Sequence, residues 1–337
     1  MYIHKVLPRS RFCSFDLASI TAGPGCMHSF VSRTHLPTLA CASMQAQEEV
    51  KIEQVSPEQL EPEGLERQWR LVQEKRPLIH CITNFVSMDL MANVLLAAGA
   101  SPAMVHSLDE IEDFMKLASG LLINMGTLSS DWLASKKLAA KQAVALGKPW
   151  VLDPVACGAT PVRTRACLDL LSCHPTVIRG NGSEIINLAE AAGCASTQEA
   201  AQQRACSGVD STATSDDALS QAKLLAAQHK CIVAVSGKVD FVTDGVQVVA
   251  VHNGVPMLTL VTAAGCSVTA LIAAFVAASP HQALLATAHA LAAFGVAAEA
   301  SCSGAPAGPG SLRVGLLDEL YRGVSSGACL GAHLQLL

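Results

Sequence analysis

Aromatic side chains are scarce in this chain, at 4% of residues, which leaves no stacking platform for nucleic-acid bases. Basic excess is missing too. The net charge is -5, so there is no cationic footprint for a nucleic-acid partner. The 13 cysteines are odd in number and include no C-x-x-C pair, which argues against a disulfide framework and against a zinc site. They read as small core residues of a reducing compartment. No G-x-G-x-x-G follows the first strand signal, which disfavours a dinucleotide oxidoreductase, and no G-x-x-x-x-G-K-[ST] occurs, which excludes a P-loop. No uninterrupted apolar run reaches the roughly 20 residues of a membrane span. The best candidate, 268–298, is broken by Ser279-Pro-His281 and reads as two packed core helices.

What is present is apolar bulk. Half of the 337 residues are hydrophobic and only 15% are charged, enough for one large α/β domain or two small ones. Residues 1–46 stand apart. They carry Lys5, Arg9, Arg11 and Arg33, many Ser and Thr, and a single acid, Asp16. That composition reads as an organellar (plastid or mitochondrial) transit segment. Residues 47–68 are acidic, contain Pro57 and Pro62, and read as a linker. The folded domain is expected over 69–337.

From 77 onward, short apolar runs alternate with helical patterns. Strands are expected at 77–82, 101–105, 120–125, 149–152, 176–178 and 231–236, and a hairpin around Asp244-Gly245. Helices are expected between them. Phe85, Met88, Met91, Ala92, Leu95 and Leu96 fall on one face of the first, which Thr83 or Asn84 can cap. This rhythm predicts a mostly parallel sheet covered by helices on both faces, with ligands at the carboxyl ends of the strands. Polar residues collect at those ends: Asn84, Asn124, Asp153, Arg179, Glu184 and Ser236. The stretch Val261-Thr-Ala-Ala-Gly-Cys266 then offers a turn of small residues before a long apolar helix. Free N–H groups and the helix dipole make such a start an anion site, and a thiol at Cys266 is expected to lose its proton more easily there. Residues from 336 on carry no signal.

Seven motifs are shared, in order, with one family. They are His80-Cys-Ile-Thr-Asn84, Gly99-Ala-Ser-Pro-Ala-Met104, Asn124-Met-Gly-Thr-Leu128, Leu152-Asp-Pro-Val155, Arg179-Gly-Asn-Gly-Ser-Glu-Ile185, Gly208-Val-Asp-Ser211 and Ala264-Gly-Cys266. Together the chain from about 69 to 323 resembles hydroxyethylthiazole kinase of the ribokinase-like superfamily. The resemblance implies a three-layer αβα fold. It implies transfer of the γ-phosphoryl group of ATP to the hydroxyethyl arm of 4-methyl-5-(2-hydroxyethyl)thiazole, in thiamine salvage, by a homotrimer with sites between subunits. It places Asn84, Met104, Gly126 and Ala263 around the thiazole, Arg179, Ser236 and Gly265 on ATP, Asp153 and Glu184 on Mg²⁺, and Cys266 at the reacting centre. Where the wider superfamily has an Asp base, this family has Cys. Ala263 stands where many members have Gly, so its methyl is expected to crowd the thiazole or alter φ. Residues 194–215 look longer and more polar than a minimal loop. Two other readings are another ribokinase-like activity on a different small alcohol and a catalytically silent binding homologue. Cys266 with the Asn84/Met104 pair disfavours the first, and the intact Asp153, Arg179, Glu184 and Cys266 set disfavours the second.

Overall fold

The computed structural model describes residues 54–194, 213–303 and 308–337. The transit-like reading of 1–46 and the Gly208-Val-Asp-Ser211 motif fall outside the described residues.

Six strands run parallel: β1 (Leu78–Ile82), β2 (Ser101–Ala103), β3 (Gly120–Asn124), β4 (Trp150–Asp153), β5 (Val177–Asn181) and β6 (Ile232–Ser236). Each of the first five is followed by a helix that carries the chain back: α2 (Met88–Ala97), α3 (Ile111–Leu117), α4 (Ser130–Ala145), α5 (Pro161–Leu171), and the pair α6 (Gly182–Ala191) and α7 (Ser215–His229). Antiparallel strands β7 (Asp240–Thr243), β8 (Val248–Val251) and β9 (Leu334–Leu336) extend the edge, in the order β2-β1-β3-β4-β5-β6-β7-β8-β9. The unexpected element is β9, three residues long; its backbone pairing with β8 leaves no periodic signal in the sequence.

Alternate residues of each strand feed two cores, because successive side chains point to opposite faces. Leu121 and Ile123 enter one core with α3 to α7. Leu122 enters the other, beneath α1 (Pro62–Lys75), α2, α8 (Ala264–Ala278), α9 (Ala283–Ser301) and α10 (Pro309–Arg322). This is the three-layer αβα arrangement. By length and apolarity alone, the stretch Pro280–Ser301 could cross a membrane, but 83% of its apolar window is buried inside the protein, as a core helix.

Two sequence readings change. The ordered body starts before residue 69: Val55, Leu60, Leu65 and Trp69 are all buried, the last two in α1. Spaced four apart on one face, Leu65 and Trp69 dock a helix whose outward face carries charges of both signs, including the Arg70–Glu66 ion pair. Phe85, ahead of α2, and Leu96, within it, are 69% and 59% exposed. The helix begins three residues later than Phe85 because the Asn84 side-chain oxygen accepts the N–H groups of Val86 and Ser87, both at 3.0 Å, and holds 84–87 as a turn.

The chain passes from β1 to β2 on one side, then to β3 on the other. Strand order reverses at the β1/β3 boundary, which opens a crevice at the carboxyl ends of those strands.

Compared with a chain beginning at residue 54, one beginning at Trp69 loses the burial of Val55, Leu60 and Leu65, and should be weaker by roughly 4.5–9 kcal/mol at about 1.5–3 kcal/mol per side chain, as read by urea denaturation. Equal midpoints would show that residues 54–68 are dispensable.

Candidate active site

The β1/β3 crevice is lined by amides. Asn84 follows β1 and Asn124 ends β3; they are 5% and 0% exposed. Asn84 Nδ2 donates to Asn124 Oδ1 at 2.8 Å, and the Gly126 N–H donates to the same oxygen at 2.9 Å. Asn124 Nδ2 donates to Asp153 Oδ2 at 2.7 Å. The hydroxyl of Thr269, in the second turn of α8, reaches the same carboxylate oxygen at 3.0 Å. Asn84 Nδ2 also lies 3.9 Å from the Cys266 sulfur. Gly126 must be glycine here, since a Cβ would stand 2.6 Å from Asn84 Nδ2.

A second group sits two strands away. Arg179 on β5 donates through Nη1 to the Gly265 carbonyl at 3.0 Å and through Nη2 to Ser236 Oγ at 2.6 Å, so the guanidinium ties β5, β6 and the start of α8 together. Its Nε–H is buried with no partner. An unpaired buried donor is costly unless a ligand fills it, and a phosphate oxygen matches it. Glu184 closes the N-terminus of α6: its two oxygens accept the N–H groups of Ala156 at 2.8 Å and Asn181 at 2.9 Å. This is the reciprocal half of a capping box with Asn181.

Burial raises both carboxylates. Asp153 is pushed up to about 7, chiefly by burial and further by the charge of Glu184, against the pull of Arg179 and the Thr269 and Asn124 hydrogen bonds. Glu184 is raised by burial, against its two backbone donors and Arg179. Cys266 corrects the sequence expectation. Burial, then the charge of Asp153, pushes its thiol up to about 12, so it is a neutral thiol at pH 7 despite standing in the first turn of α8.

Three of the six non-glycine residues with positive φ among the described residues lie near the site: Thr127, Ala156 and Ala263, at 43°, 58° and 66°. They lie on the turns that follow β3 and β4 and precede α8. Each L-residue there costs roughly 1–2 kcal/mol. Ala263 thus holds the left-handed conformation that glycine adopts freely.

The structure thus joins Asn84, Gly126, Asp153 and Cys266 through one network, and Arg179, Ser236 and Gly265 through another. Met104 stands just past β2, half-buried against the same helical layer as Ala263 and Cys266. Two participants were missing from the sequence-derived site. Asn124 was visible as a strand-end polar residue, but its position at the centre of the network was not. Thr269 stands four residues after Gly265, one helical turn on, and looks like an ordinary residue of an apolar helix.

The profile of the hydroxyethylthiazole kinase family matches residues 70–325. A protein of Zea mays named hydroxyethylthiazole kinase is 54% identical over 258 residues, covering 76% of this chain and 88% of the maize protein. One of Arabidopsis thaliana with the same name is 51% identical over 250 residues, covering 74% and 87%. This chain belongs to the hydroxyethylthiazole kinase family. Among solved structures, the hydroxyethylthiazole kinase protein of Pyrococcus horikoshii superposes with a TM-score of 0.71 at 40% identity, covering 82% of this chain and 99% of that one. The fold is accordingly that of a hydroxyethylthiazole kinase, and the protein is a kinase.

Asp153 gives a pH signature. Its folded value, about 7, lies above the roughly 3.9 of an unfolded chain. Between those values the native state binds the extra proton, so ligand-free stability falls as pH rises from about 4 to 7. Asp153→Asn keeps the acceptor and removes the charge. It should raise ligand-free stability by roughly 2–4 kcal/mol above pH 7 and leave it unchanged near pH 4. A loss of stability at pH 8, read by thermal denaturation, would contradict this.

Proposed function

We infer that the protein phosphorylates 4-methyl-5-(2-hydroxyethyl)thiazole with ATP, releasing ADP and the thiazole phosphate ester used in thiamine salvage. Membership of the family carries the reaction. The observation that carries the site is Arg179, held between Ser236 and the start of α8 with one buried N–H left over, beside the crevice formed by Asn84 and Gly126.

The arrangement separates two tasks. Asn84 and Gly126 line the crevice, and together with Met104 and Ala263 they would position the thiazole alcohol; Met is polarizable and adapts to a flat sulfur heterocycle. Arg179, Ser236 and the free N–H groups of α8 would hold the phosphates and meet the charge that develops during transfer. The alcohol oxygen forms the new P–O bond while the bond to the ADP oxygen breaks, in line. Because Cys266 is protonated at neutral pH, it is not a preformed base. With a loose transition state, early removal of the alcohol proton contributes little, and orientation supplies most of the rate.

Asp153 and Glu184 suit Mg²⁺ as the partner of ATP. Both Asp153 donors crowd onto one oxygen, leaving Oδ1 open, and the two buried acids raise each other's cost of ionisation, which a divalent cation relieves. Among the described residues no cluster of three His, Cys, Asp or Glu forms an all-protein cage. That fits an ion that keeps waters and borrows phosphate oxygens. Glu184, with both oxygens taken by backbone N–H groups, would act through a metal-bound water. When bound, Mg²⁺ neutralises charge on the β- and γ-phosphates.

We read the protein as a homotrimer with the crevice at the subunit boundary. Phe85 and Val86, 69% and 62% exposed, follow Asn84 directly, and the Phe85 ring lies 5.0 Å from that of Trp132, which in turn meets His106 at 4.7 Å. An exposed apolar patch bordering a ligand crevice is the kind of surface a second copy covers. Light scattering should give three times the chain mass, and a monomer that turns over fully would contradict the reading.

Release of ADP from Mg-ATP should occur with the hydroxyethylthiazole and not with pyridoxal, hydroxymethylpyrimidine or a simple sugar; no turnover with the thiazole by a folded protein would overturn the function. Cys266→Asp, which supplies the carboxylate of the wider superfamily, should keep or raise kcat. Loss of turnover in a folded Cys266→Asp protein would show that the thiol itself is needed.

A further inference from the structure

We propose that Asn124 is the positioning residue that locks the thiazole side of the site to its phosphate side, through Asn84 on one hand and Asp153 on the other. The inference rests on the kinase reading for its turnover arm and on the assignment of Asn84 to the thiazole for its affinity arm; the chain of bonds itself rests on geometry.

The two amides in the chain of bonds each have one possible orientation, while the Thr269 hydroxyl has two acceptors in reach, Asp153 Oδ2 at 3.0 Å and the Gly265 carbonyl at 3.1 Å. Asn84 Oδ1 accepts the backbone N–H groups of Val86 and Ser87. Backbone N–H groups only donate, so this fixes the Asn84 amide with Nδ2 toward Asn124 and Cys266. Asn124 Oδ1 accepts from that Nδ2 and from the Gly126 backbone, which turns its own Nδ2 toward Asp153. Asp153 Oδ2 is the terminal acceptor, shared with the Thr269 hydroxyl. The direction of every bond is thus set by main-chain donors at the β1 and β3 turns, and no amide can flip without stranding a donor.

Asn124 is fully buried, so water cannot substitute for it. The position also demands this side chain. Asp at 124 would have no amide donor for Asp153, and Gln would be one methylene too long for bonds of 2.7 and 2.8 Å in opposite directions. Thr269 reaches Asp153 from α8 without touching Asn84 or Asn124 in any hydrogen bond. The two donors to Asp153 therefore differ in one respect that can be measured: only Asn124 also governs the thiazole-side amide.

The experiment measures two quantities in each variant. One is the dissociation constant of 4-methyl-5-(2-hydroxyethyl)thiazole by calorimetry without ATP. The other is kcat with Mg-ATP. Asn124→Leu should raise the thiazole dissociation constant about tenfold and lower kcat about 100-fold, since it strands a buried donor on the Asn84 side and a carboxylate on the other. Thr269→Val should lower kcat about tenfold and leave thiazole affinity within about threefold. Asn84→Ala should weaken thiazole about tenfold alone and less than about twofold further when added to Asn124→Leu, because the two act through one bond. Should Asn124→Leu fail to fold, Asn124→Ser, which cannot span both partners, takes its place with the same expectations.

The proposal is overturned if the Asn84 and Asn124 changes multiply in thiazole affinity, or if Asn124 variants shift the melting temperature while both quantities stay within about threefold of wild type. It is also overturned if Thr269→Val weakens thiazole as much as Asn124→Leu does. A wild-type protein without turnover overturns the kinase reading instead, and the calorimetric cycle still decides the role of Asn124.

Discussion

The bond from Asn124 to Asp153 is the constraint on which the rest of the site depends. It crosses from β3 to β4 at register partners, since Asn124 and Asp153 face each other in the parallel ladder. A one-residue slip of either strand would turn one of them to the opposite face. The core therefore fixes the site: Leu121 and Ile123 on one face, Leu122 on the other, hold β3 in the only register that places its terminal amide against the carboxylate. The short crossovers and the reversal of strand order at β1/β3 then bring Asn84 to the same point. The folding energy comes from apolar burial, and the polar network takes its geometry from it.

That network carries a cost that ligands can recover. A buried carboxylate near pH 7 half-holds a proton, a guanidinium N–H lacks a partner, and three non-glycine residues at the turns are strained. None of these stabilises the free protein. Each becomes favourable when a phosphate, a cation or a substrate supplies the missing partner, which is the sense in which the site is prepared before anything binds.

How much of this was legible beforehand follows residue by residue. The strands at 78–82, 120–124 and 232–236 were readable because buried parallel strands are short unbroken apolar runs, and Asn84, Asp153 and Arg179 because polar residues at such ends have nowhere else to go. The helix over 62–75 was not, since Leu65 and Trp69 follow an acidic, proline-containing stretch that reads as a linker. Phe85 was placed on one face of the first helix because the periodicity of α2 continues through it, and the Asn84 side-chain turn that delays the helix start has no periodic signature. Thr269 was invisible because a hydroxyl in an apolar helix acquires meaning only from what packs across it. Cys266 shows the limit of local rules: the helix N-terminus argues for a thiolate, and burial beside Asp153 outweighs it.

The most direct test of the account is a crystal structure with the thiazole alcohol and a non-hydrolysable ATP analogue bound together. The account predicts the alcohol oxygen facing the terminal phosphate at the first turn of α8, the Arg179 Nε–H on a phosphate oxygen, and the Asn84–Asn124–Asp153 bonds unchanged from the free protein. Nucleotide bound away from Arg179, or a rearranged Asn124, would contradict it.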